Sequence, residues 1–472
     1  MQSAIQRDSQ RSNTPIPAGA SVRAAVLDID ESSNSQKGVR AGCGTNRRPA
    51  HLRCDGSRQH ASGARGRAEP RRRNSGPQPA STRAPDIVQR SDPVQRQSPE
   101  RPLSTAAPTL AAPTASPVPT GGICCDLHPG VDSNAQLLPY LEDYWADTVQ
   151  QRGVHPLDTI GYPVNAPLTC RPDWRIDGAK PGTSLARLQT DALDAFGLSH
   201  AICNCIYGVQ LLFSEDMAKA FARAVNSWIA AEWLAKEPRL RASIVVPTQS
   251  PEFAAEEIDY WAQDKRFVQV LMIVMDEMPL GRRHYWPIYE AAARNGLPVG
   301  IHAGSAYKHP VTPVGWPSYL VEDYGAQSLA FQSMTTSLIC EGVFQKFPDL
   351  TVVFLESGVT WLPAHLWRLT KFWRGMRAEI PWVTEPPWEI ARRHIRLTAQ
   401  PLDLPGGEDG EDGAAATLER IVDHMRSDAM FLFATDYPHW QYDGLAALPA
   451  GLSQDLVRKM MVDNPRATYA RL

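Results

Sequence analysis

The run LPVGIHAG, residues 297–304, is almost continuously apolar up to its single histidine, His302. A strand with one face in water alternates apolar and polar residues. A run without that alternation is buried on both faces, as strands of a parallel sheet are. Seven more such runs occur: GICCDLH (122–128), SHAICNCI (199–206), ASIVVP (242–247), RFVQVLMIV (266–274), LTVVFLES (350–357), HIRLTAQ (394–400) and AMFLFATDY (429–437). Helical segments separate them. One is SEDMAKAFARAVNSWIAAEWLAKEP (214–238), where Ser214 is a good N-cap and apolar residues recur every three or four positions. Eight strand-and-helix repeats in the C-terminal three-quarters of the chain predict an α/β fold, a (β/α)8 TIM barrel, rather than an open doubly wound sheet.

In such a barrel the chemistry belongs to residues at the C-terminal ends of the strands. Strand one ends at His128, strand five at His302, strand six at Glu356, and strand eight at Asp436 beside Tyr437 and His439. Each costs stability if buried alone. Singly, either histidine reads as an ordinary hydrogen-bonded core residue, and Asp436 as a helix cap. Together they are two imidazoles and two carboxylates at one end of one barrel, donors suited to Zn²⁺ or a similar divalent ion.

The rest of the chain sets limits. Residues 1–120 contain no tryptophan, tyrosine or phenylalanine and are rich in Arg, Ser and Pro, as in RGRAEPRRRNSGPQPASTRAP (65–85). Such a segment cannot bury enough apolar surface to offset its ordering entropy, so a disordered tail is expected before a globular domain at 121–472. A net charge of −3 over 472 residues gives no reason to expect nucleic acid as a partner. No apolar run is long enough for a membrane span, and no apolar segment near the N-terminus reads as a secretory signal. Eight scattered cysteines without a CxxC pair, several inside strand runs, read as reduced thiols of a cytoplasmic protein. The expected partners are a small-molecule substrate and a second copy of the chain, forming a homodimer.

Several segments resemble the amidohydrolase-related family of metal-dependent TIM barrels, which includes aminocarboxymuconate semialdehyde decarboxylase and resorcylate-type decarboxylases. GIHAG (300–304) is similar to that family's strand-five ligand motif, and FATDYPHW (433–440) to its strand-eight SDYPH motif. EGVFQKFPDLTVVFLESGVTWLP (341–363) resembles the segment around strand six, and VDNPRATYARL (462–472) the closing helix. The resemblance implies His128, His302 and Asp436 as metal ligands, with Asp436 also a proton-transfer group and zinc the expected ion. Two departures stand out. The family's first strand usually offers His-x-His, but position 130 is Gly130, leaving one ligand expected there. On strand six, Glu356 stands where decarboxylases carry a histidine, either as a general base or as a further ligand.

Two insertions, about 140–184 and 305–327, are expected to cover the strand ends. Trp174, Tyr307, Trp316 and Trp440 are candidates to line an apolar pocket, and Arg171, Arg175 or Lys308 to meet a substrate carboxylate. The expected activity is hydrolysis of a small cyclic or aromatic carboxylate by metal-activated water, with Asp436 and Glu356 catalytic. The alternatives are nonoxidative decarboxylation on the same scaffold, or a metal-independent lactonase-like hydrolysis.

Overall fold

Each of the eight apolar runs forms a strand in the computed structural model. These are β1 (Ile123–Leu127), β2 (His200–Cys203), β3 (Leu240–Val245), β4 (Phe267–Met275), β5 (Val299–Ser305), β6 (Val352–Leu355), β7 (Ile395–Thr398) and β8 (Phe431–Leu432). All neighbouring strands are parallel, in the order β1 to β8. The last closes on the first through the chain beyond it. Cys125 N–H donates to the Phe433 carbonyl at 2.9 Å, His128 N–H to Tyr437 at 2.8 Å, and Asp436 N–H to Asp126 at 3.1 Å. The (β/α)8 barrel expected from the sequence is the fold. The structure describes residue 119 and residues 121–157, 170, 179–405, 412–439 and 447–472. The tail expected over 1–120 falls outside them except at residue 119, as do Arg171, Trp174, Arg175 and Trp440.

Burial explains the missing alternation. Every residue of β1, β4 and β5 is buried, because one face lines the barrel and the other meets the helices. The helices that cover the outer faces begin as their sequences dictate. Ser214 caps Glu215–Trp228, its hydroxyl accepting from Met217 N–H at 3.3 Å. The apolar stripe of that helix, including Phe221, Ala222, Val225 and Trp228, packs inward. Proline occupies the first turn of Pro251–Trp261, Trp286–Arg294, Leu362–Met376 and Pro387–His394, where no backbone donor is lost.

The two insertions differ in kind. The first carries a helix, Asp143–Arg152, before passing outside the described residues, and returns at 179–184 against the end of β1. The second is shorter than expected, because its last third is already the start of the long helix Leu320–Cys340. Among the described residues no helix is long and apolar enough to cross a membrane.

Candidate metal centre and active site

Strand periodicity decides what β1 offers. Residues two apart point to the same side of a strand, so Asp126 and His128 enter the barrel mouth together. The single ligand expected from β1 is therefore joined by a second candidate donor. The second donor is Asp126, two residues before the histidine, and not a residue at 130. Asp126 is fully buried, with Oδ1 3.2 Å from His128 Nε2 and Oδ2 3.7 Å from His302 Nε2. Gly130 has a backbone role. Its N–H donates to Gly182 O at 2.9 Å, and a Cβ there would sit 2.8 Å from Pro181 O. Only glycine lets the returning insertion approach this closely.

The other donors arrive as expected. His302 Nε2 lies 3.4 Å from Glu356 Oε1, and His128 Nε2 lies 3.5 Å from that oxygen and 3.1 Å from Asp436 Oδ1. His439 completes the cluster. Its Nδ1 is 2.8 Å from Glu356 Oε1 and 2.6 Å from Asp436 Oδ1, and its ring stacks on His128 at 4.3 Å. His439 was not assigned a role from the sequence. The signal was there, because it is three residues past Asp436 on a chain that turns back over the mouth.

Two sets of donor atoms lie within 4.8 Å of one another: Asp126, His128, His302 and Glu356, and His128, Glu356, Asp436 and His439. Both histidines are held in the tautomer a ligand needs. His128 Nδ1–H donates to Asn204 O at 2.9 Å and His302 Nδ1–H to Ala303 O at 2.7 Å, so Nε2 of each is the nitrogen that faces the cluster. Asp126 Oδ2, His128 Nε2, His302 Nε2 and both Asp436 oxygens are buried without a hydrogen-bond partner. Five orphaned buried atoms at one point are costly unless something else joins them. A divalent ion fits that donor set. Glu356 and Asp436 also both adopt a positive φ, +56°, a strained conformation for a residue with a side chain. Thr398 Oγ1 accepts from Glu356 N–H at 3.2 Å, and Asp126 O holds Asp436 N–H.

The protonation balance follows from the crowding. Burial alone would lower the pKa of His128, but the charges of Asp126, Asp436 and Glu356 outweigh it and raise it well above the usual value. His439 is raised in the same way to about 9, mainly by Asp436. Burial would raise Glu356, yet His302 and His439 hold it well below the usual carboxylate range. Asp436 goes the other way. Burial, then the charge of Glu356, pushes it up to about 6.

Beside the cluster a pocket opens, lined by His128, His439, Pro129, Val131, Ile206 and Pro438 among others, with Lys180 and Tyr207 at its wall. The structure does not bring Tyr307 or Trp316 to this pocket. They stack on each other at 6.3 Å, and Trp316 is half exposed. Lys308 pairs with Glu277.

Residues 125–471 match the family described as Amidohydro_2: Amidohydrolase. A Gamma-resorcylate decarboxylase of Polaromonas sp. is 27% identical over 254 residues, 50% of this chain and 72% of that protein. Among solved structures, an amidohydrolase of Mycobacterium avium subsp. paratuberculosis superposes with a TM-score of 0.56 at 21% identity, covering 74% of this chain and 99% of that one. A dihydroxybenzoic acid decarboxylase of Polaromonas sp. JS666, with bound manganese and the inhibitor 2-nitroresorcinol, gives 0.51 at 18% identity, covering 75% and 97%. At these identities the structures share the fold.

Proposed function

Because this chain belongs to the amidohydrolase family, we propose that it is a metal-dependent, nonoxidative decarboxylase of a small aromatic carboxylate. The observation that carries the reading is Asp436. It is a fully buried carboxyl 2.6 Å from His439 Nδ1, set among metal-type donors beside an apolar pocket. A carboxyl paired this closely with an imidazole can pass a proton to carbon. The curated relative, named as a decarboxylase of an aromatic acid, supports the same choice.

Asp126, His128, His302 and Glu356 would hold the ion, with Asp436 and His439 beside it. A bound divalent ion would supply positive charge that stabilises negative charge on the substrate. The apolar wall of Pro129, Val131, Ile206 and Pro438 takes the ring and keeps water off it. Asp436 then passes its proton to the ring carbon that bears the carboxylate. The bond to the carboxylate breaks, its electron pair returns to the ring, and CO₂ leaves. His439, 2.6 Å from Asp436 Oδ1, restores the proton, so each turnover consumes one proton from solvent. Glu356 holds His439 in place through its 2.8 Å hydrogen bond.

The hydrolase expectation rested on the absence of a histidine from strand six. That ground is removed, because His439 brings an imidazole to Glu356 from the strand-eight loop. Three carboxylates beside the imidazoles suit manganese at least as well as zinc, and manganese is what the Polaromonas structure contains. Assembly as a homodimer is part of the proposal, and sedimentation reads it directly. To test the function, metal-free protein is reloaded with manganese or zinc and offered γ-resorcylate and related hydroxybenzoates, while ring absorbance and released CO₂ are followed. Turnover with manganese supports the reading. A loaded protein that decarboxylates none of these acids but cleaves lactones or esters returns the site to hydrolysis.

A further inference from the structure

The centre of a TIM barrel is normally filled by layers of branched apolar side chains, yet here it carries a polar column. Asn204, Ser243 and Gln269 are fully buried and Tyr469 is 1% exposed. Each is hydrogen-bonded to the next, and the donors all run one way. Tyr469 O–H donates to Gln269 Oε1 at 3.0 Å, and Gln269 Nε2–H to Ser243 Oγ at 2.9 Å. Ser243 O–H donates to Asn204 Oδ1 at 2.6 Å, and Asn204 Nδ2–H to Asp126 Oδ1 at 2.8 Å. The column therefore starts at Tyr469, three residues before Leu472, passes through β4, β3 and the end of β2, and finishes on the Asp126 carboxylate. β5 makes room for it, because a Cβ on Gly300 would lie 2.5 Å from Gln269 Nε2.

Burying three amide or hydroxyl groups where Leu or Val would serve costs stability unless every group is satisfied, and these are. We infer that the column is a positioning device, with Asn204 as its joint. The Asn204 side chain pins Oδ1 of Asp126, so that Oδ2, 3.7 Å from His302 Nε2, faces the other donors. The Asn204 backbone carbonyl takes the Nδ1 proton of His128, so that Nε2 faces the same point. One residue thus sets the orientation of both donors of β1. Because the donors align in one direction, each bond polarises the next, and the positive, donor end of the column faces the Asp126 carboxylate. This inference rests on the reading of the cluster as a divalent-ion site.

Manganese affinity of metal-free protein, read by titration calorimetry, tests it alongside the electron paramagnetic resonance spectrum of the bound ion. Loss of an outer partner of a metal ligand weakens binding roughly 10- to 100-fold, and that is the result expected for Asn204→Leu. Ser243→Ala, which removes one link and preserves the backbone, should weaken it about 3- to 10-fold. Tyr469→Phe, at the far end, should weaken it by less than either. The spectrum should broaden in the same order as the coordination loosens. Column residues that only stabilise the fold would lower the melting temperature of the metal-free protein and leave affinity and spectrum unchanged. Should Asn204→Leu not fold, the Ser243→Ala result decides. Wild-type protein that binds manganese, with variants that match it within twofold, overturns the column's role alone. Wild-type protein that takes up no divalent ion overturns the metal reading and this inference together.

Discussion

Replacing Asp126 by asparagine keeps the shape of the side chain and removes its charge. In the native site Asp126 accepts from Asn204 at 2.8 Å on Oδ1 and presents Oδ2 without a partner. Asparagine would point either its carbonyl or its amide at Asn204, and one of these turns a donor toward the metal site. The electrostatic scale comes from the 3.2 Å contact with His128 Nε2. Two unit charges at that separation attract by about 1.3 kcal/mol in water and about 5 kcal/mol at an effective dielectric of 20. A divalent ion would feel more than this, but binding also requires the ion to lose water and His128 to lose its proton. A net loss of about 3–4 kcal/mol corresponds to manganese affinity roughly 10²–10³-fold weaker. Titration calorimetry on metal-free protein, with metal counted by mass spectrometry after dialysis, measures it. An Asp126→Asn protein whose affinity stays within threefold of wild type would refute the claim that β1 supplies a carboxylate ligand.

Other outcomes follow from the same geometry. Asp436→Asn should cut turnover by roughly 10²–10⁴-fold in steady-state assays, as loss of a general acid does. A variant with normal turnover would remove Asp436 from the chemistry. Gly130→His should gain no metal affinity, and Gly130→Ala should raise KM while keeping metal content, because a Cβ there meets Pro181 O at 2.8 Å. Metal-free protein should lose stability as pH rises from about 6.5 to about 9. His439 has a folded pKa raised to about 9, so its contribution is complete below the unfolded value near 6.5 and is lost as pH rises through 9. Melting curves across that window should show the fall without metal. Because His128 is protonated well above its ordinary range, manganese binding near neutral pH should release protons and weaken as pH falls. Calorimetry in two buffers of different ionisation enthalpy reads that release.

How much of this was legible follows from what the sequence encodes locally. All eight strands were readable because burial on both faces removes alternation, and β4, with nine buried residues, shows the effect most plainly. His128, His302, Glu356 and Asp436 were readable because an ionisable residue closing an apolar run has few other reasons to be there. Asp126 was missed because it sits inside the apolar run and not at its end. The period-2 rule places it beside His128, as it would a residue at 130. His439 stands three residues past Asp436, but what brings it over the mouth is the turn after Asp436, whose positive φ at a non-glycine residue no local pattern announces. The polar column was beyond reach in principle. Its links are 78, 39, 26 and 200 residues apart in the chain, and nothing local joins them.

The central claim is that carbon, and not water, receives what the site delivers. Manganese-loaded protein incubated with carboxyl-¹³C γ-resorcylate in D₂O tests this in a single nuclear magnetic resonance experiment. The account predicts labelled CO₂ and a product with one deuterium on the carbon that lost the carboxylate. Loss of both signals in the Asp436→Asn protein should accompany it. Intact labelled acid after prolonged incubation with fully loaded protein, together with hydrolysis of an ester or lactone at the same site, would contradict it.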